Sequence, residues 1–133
     1  MSVVLLLAVA FSLLPEWAGA GSVTYVTHDC LHVKREPAKI MFACADGGYY
    51  VDHLRWGYWY PKKARARGIF HFNDCDPTCA GGTFHTRRGT LRLRYRLWCP
   101  DIHKYVFRHA WATYDRPWDG RSGEDFKLYC PLT

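Results

Sequence analysis

Serine is scarce once residues 1–20 are set aside: Ser22 and Ser122 alone remain. The second lies in GRSGE, which is not the GxSxG elbow that exposes a nucleophile between a strand and a helix. Helical periodicity is also missing after residue 20, as are internal repeats and low-complexity linkers, so helical bundles, βα-repeat folds and solenoids are excluded. No later apolar run approaches the roughly 20 residues that a spanning helix needs.

What is present begins with MSVVLLLAVAFSLLPEWAGA, an apolar run from Val3 to Leu14 followed by the small-residue pattern Ala18, Gly19, Ala20. This reads as a secretory signal peptide over residues 1–20, with a retained anchor as the alternative because no Lys or Arg precedes the run. An extended N-terminal arm is expected over residues 21–39, tied down by Cys30, and a single β domain over residues 40–133. The location expected is extracellular.

All six cysteines follow the leader: Cys30, Cys44, Cys75, Cys79, Cys99 and Cys130. An even count in an exported chain reads as three disulfides, and the spacings do not choose the pairing. HFNDCDPTCAGGTFH poses the one alternative, since His71 and His85 flank Cys75 and Cys79 within reach of a Cys2His2 zinc shell. Oxidation competes with that arrangement, so the stretch is expected to be a pinned corner between strands. No metal or cofactor is expected.

Strand period dominates the rest. TLRLRYRLWC sets Leu91, Leu93, Tyr95, Leu97 and Cys99 on one face against Arg92, Arg94, Arg96 and Trp98 on the other. KYVFRHAWATY reads as a central strand with two largely apolar sides. GYYVDHLRWGYWY sets Tyr50, Leu54, Trp56, Tyr58 and Tyr60 against Val51, His53, Arg55 and Trp59. IMFAC, GIFHF and DFKLYC add shorter strands, while ADGG, YPKKARARG, CDPTCAGG, CPDIHK and DRPWDGRSGED carry turn residues. The expected fold is all-β: a small, disulfide-stabilised antiparallel sandwich or barrel of about six to eight strands.

The blocks ACADGGYYVDHLRW and FHFNDCDPTCAGGTFH, with Trp56 and Trp59 between them, resemble a group of small exported proteins of actinobacteria over residues 37 to 98. The resemblance implies export and supplies no activity, ligand or site residue. That group is small and Thr/Gly-rich after the tryptophans, where this chain reads YPKKARARG; HTRRGTLRLRYR is likewise more basic.

Charge is therefore the main functional clue. The chain has 18 Lys and Arg against 12 Asp and Glu, a formal net charge of +6. The excess gathers at Lys62, Lys63, Arg65 and Arg67 and at Arg87, Arg88, Arg92, Arg94 and Arg96. Same-face side chains on a strand recur at about 6.6 Å, so ladder arginines form a line that attracts polyanions. Trp98, with Trp56 and Trp59, adds stacking or cation–π capacity. The expected role is non-catalytic binding of an anionic polysaccharide, cell-wall polymer or nucleic acid through Arg92, Arg94, Arg96, Trp98, Lys62, Lys63, Arg65 and Arg67. The alternatives are a basic nuclease using His71, His85 or His109 as acid and base, and a disulfide-rich inhibitor or toxin-like protein.

Overall fold

A computed structural model describes residues 22–133; the leader expected over residues 1–20 lies outside them. The described chain is built from eight strands: β1 Thr24–Thr27, β2 Val33–Lys34, β3 Ile40–Met41, β4 Tyr49–Trp59, β5 Lys63–Asn73, β6 Phe84–Cys99, β7 Lys104–Trp118 and β8 Arg121–Lys127. They form one sheet in the order β2-β1-β7-β6-β5-β4-β3, with β8 pairing the second half of β7. Neighbours are antiparallel except β1 and β7, which run parallel. The all-β, disulfide-stabilised expectation holds, and the architecture is a curled half-barrel.

The curl follows from an alternation of large and small side chains across the strands. One inner rung reads Trp59, Ala64, Leu93, Ala110, Phe126; the next reads Trp56, Ala66, Leu91, Ala112, Glu124. Leu91, Leu93 and the alanines are almost fully buried. Burying each leucine contributes about 1.5–3 kcal/mol, and the alanines between them leave room for the concave side to close. Far strands then meet: Phe126 of β8 stacks on Phe42 at 4.2 Å and lies 4.6 Å from Tyr49 of β4. A partly buried hydroxyl chain accompanies them, in which Tyr49 meets Tyr114 and the Tyr114 hydroxyl donates to Glu124 at 3.0 Å. Burial first, and then these neighbours, raise the Tyr49 phenol far above the ordinary tyrosine range; at Tyr114 burial raises the phenol, the bond to Tyr49 opposes it and the Glu124 carboxylate adds to the rise.

Within the expected N-terminal arm, β1 belongs to the sheet and Val26 is fully buried. The three disulfides are Cys30–Cys44, Cys75–Cys79 and Cys99–Cys130. The first ties the β1–β2 turn to the chain after β3, where the Met41 amide also donates to the His28 carbonyl at 2.8 Å. Among the described residues no helix is long and apolar enough to cross a membrane.

Three sequence expectations change. YPKKARARG is no loop beyond Lys62, because β5 starts at Lys63. Likewise DRPWDGRSGED is strand on both sides of a turn at Asp119 and Gly120. In β4 the alternation slips at a bulge between Asp52 and Arg55, so Val51 and Leu54 are both buried despite opposite parity. The bulge requires Gly68 opposite it, since a Cβ there would sit 2.8 Å from Leu54 Cδ2 and 2.9 Å from the Asp52 carbonyl oxygen.

Candidate anion-binding face

The convex side of the sheet carries the residues that alternate with the core. Lys63, Arg65 and Arg67 stand between Ala64 and Ala66 on β5, and Arg92 and Arg94 flank Leu93 on β6. Register then unites the two basic clusters of the sequence. Lys63 pairs with Arg94, Arg65 with Arg92 and Arg67 with Thr90, while Arg55 of β4 faces Arg67. Adjacent strands lie about 4.8 Å apart, so cations face one another across the sheet as well as along it. One of these rungs runs Tyr58, Arg65, Arg92, Trp111, Asp125: aromatics flank the two arginines, Trp111 is 52% exposed, and a carboxylate of β8 stands beyond it.

Little of this charge is neutralised. Among the described residues, Arg67 and Arg121 are the Lys and Arg side chains that meet a carboxylate. Arg67 grips Asp115 with both guanidinium nitrogens, one at 2.7 Å, and also donates to Thr90 Oγ1 at 3.1 Å. The hydrogen bond from Arg67 holds the Asp115 carboxyl below its usual range and raises Arg67 in turn. Arg55, Arg67 and Arg88, with His53 from the bulge, line a groove of about 350 Å³ beside this pair.

Of the expected binding residues, Lys63, Arg65, Arg67, Arg92 and Arg94 come together on this face. Lys62 sits at its end, in a groove with Lys63, Arg94, Arg96 and Arg108. The expected alternation breaks at Tyr95, whose φ of +61° turns it out of the core side; it is 62% exposed whereas Leu91 and Leu93 are buried. Past that residue, Arg96 lies over the Tyr105 ring at 4.3 Å and donates to Ser22 Oγ at 2.8 Å. Trp98 is exposed but packs edge-on against Tyr105, six positions from Arg92. Trp56 and Trp59 are half-buried against the core: their indole nitrogens donate to the Pro37 and Thr24 carbonyls at 2.9 Å. Arg55, Tyr58 and Trp111 join the face through register, which single-strand alternation does not reveal.

The histidines considered for acid–base work diverge. His71 pairs across the sheet with Thr86, and His85 with the buried Phe72, so their side chains lie on opposite faces. His109 lies opposite Arg94, eight residues along β6 from Thr86, or about 26 Å. Each instead meets its own carboxylate: Asp52 at 2.8 Å, Asp74 at 2.9 Å and Asp125 at 3.7 Å. His53 shares the Asp52 oxygen with His71, at 2.9 Å. Burial opposes ionisation of Asp52, but these two ring contacts outweigh it and lower the carboxyl.

The metal alternative at Cys75 and Cys79 is answered by their disulfide, with His71 and His85 turned to Asp52 and Asp74. Asp46 lies near these sulfurs and is the one clustered carboxylate of metal-ligating type among the described residues. Sulfurs joined to each other offer no thiolate to an ion. Compared with protein-family models, curated proteins and solved structures, the chain matches none.

Proposed function

We propose that this chain is a non-catalytic binding module that holds an anionic polymer on the convex face of its sheet. The observation that carries the reading is the direct opposition of like charges that no carboxylate neutralises among the described residues, Arg65 to Arg92 and Lys63 to Arg94. Such pairs destabilise a sheet, and a surface merely kept soluble gains nothing from matching them in register. A polyanion converts the repulsion into attraction by neutralising several cations at once. The leader expected from the sequence and the three disulfides support an extracellular setting, where anionic polysaccharides, cell-wall polymers and released nucleic acid are the available partners. Nuclease chemistry has no comparable support, because His71, His85 and His109 do not converge.

The test is salt-dependent binding by the wild type and the triple variant Arg65→Gln, Arg92→Gln, Arg94→Gln. On a single-stranded nucleic acid each lost contact lowers the slope of log affinity against log salt by about 0.7, so the variant loses roughly 2. On heparin it elutes at lower salt. Equal slopes and equal elution of two folded proteins would remove the reading.

A further inference from the structure

We infer that Tyr95 is a stacking platform for a base of an unpaired nucleic-acid strand whose phosphates lie on the cations around it. The inference rests on the polyanion reading and names the polymer. Lys62, Lys63, Arg94, Arg96 and Arg108 line, with Tyr95, a groove of about 550 Å³ that contains no carboxylate. Left-handed backbone is unusual for a bulky residue. Here it defeats a sequence pattern that would bury the ring, and delivers it to the mouth of the groove at φ +61° and 62% exposure. Tyr95 also borders a second groove with Arg108, His109 and Tyr129, where the His109 ring lies 6.1 Å from it.

Further aromatics lie in the same region, Tyr58 half-buried and Tyr60 and Trp111 exposed. Tyr58 and Tyr60 stack on each other at 5.2 Å with Lys63 within 5.9 Å of both rings, and Trp111 stands beside Arg92. Rings interleaved with cations are what a flexible strand of stacked bases and charged phosphates requires. A charged polysaccharide fits less well. Sugar hydroxyls are gripped by planar side chains that both donate and accept, yet the chain has one asparagine, Asn73, and no glutamine. No acid or amide side chain lines the Tyr95 groove.

The experiment compares three probes of high negative charge: a short oligothymidylate, an abasic strand with the same phosphates, and heparin. Wild type, Tyr95→Phe and Tyr95→Gly are used, glycine being at ease at positive φ so that the fold is kept. Oligothymidylate is expected to bind wild type about tenfold or more tighter than the abasic strand. Tyr95→Gly removes that advantage and leaves abasic strand and heparin within about twofold, while Tyr95→Phe retains it. Oligothymidylate and abasic strand binding equally would overturn the platform and leave the polyanion reading standing. Tyr95-dependent binding of heparin alone would overturn it in favour of a polysaccharide. Failure of all three probes at low salt would sink the polyanion reading and this inference together.

Discussion

Arg92 shows the conflict between stability and function at the scale of one residue. It stands opposite Arg65 on one side and Trp111 on the other, and among the described residues no carboxylate reaches it. Replacing it by glutamine keeps the length of the side chain and removes one of two facing charges. Arg92→Gln is expected to raise unfolding free energy at low salt by a few tenths to about 1 kcal/mol, the scale of cross-strand pairs. Urea denaturation in low salt and in molar salt checks this: the gain shrinks in molar salt, where charges are screened within about 3 Å. A loss of stability at both salts would mean that Arg92 contributes packing rather than repulsion. Hydrophobic pattern made this arginine legible in the sequence as a solvent-facing residue. It left Tyr95 misplaced, because alternation presumes an unbroken extended backbone and a positive φ leaves no mark in composition.

At the scale of the element, β5 and the corner after it fared differently. The run Lys63 to Arg67 has strand period two, but its inner residues are Ala64 and Ala66, too small to signal a core face, so charge and the preceding Pro61 made it read as a loop. The corner was legible because turn chemistry is local. Asp74 accepts hydrogen bonds from the amides of Asp76 and Thr83 and from His85 Nε2. Hydrogen bonds from His85, then from those amides, hold its carboxyl at about 2, below the usual carboxylate range. A depressed folded value means the contribution is complete above the unfolded pKa and disappears as pH falls through about 2. Backbone amide exchange in residues 74–83 is therefore expected to speed up selectively between about pH 4 and pH 2, relative to intrinsic rates. In Asp74→Asn that selective step should vanish. An unchanged step in the variant would assign the acid sensitivity to another group.

The shape of the whole molecule comes from the inner rungs, and the candidate site depends on that shape. A sheet with large residues at every inner position would be held open. Here Ala64, Ala66, Ala110 and Ala112 alternate with Leu91 and Leu93, so the sheet curls and presents its arginines on the convex side. Composition and strand period announced an all-β domain with disulfides, but neither specified this curl, which depends on which alanine meets which leucine across strands. Ala66→Leu places a larger side chain on the rung between Trp56 and Leu91, where Ala66 is 1% exposed. Overpacking of this kind costs about 1–3 kcal/mol. Arg65→Leu, one position earlier on the same strand, lies on the convex face and, in molar salt where its repulsion with Arg92 is screened, should change stability by no more than about 0.5 kcal/mol. The two variants place the same leucine on opposite sides of one strand, so their difference isolates the concave side. Chemical denaturation of both is the measurement. Equal stability of Ala66→Leu and wild type would show that the inner face has room to spare, and that the alanines do not set the curvature on which the arginine array depends.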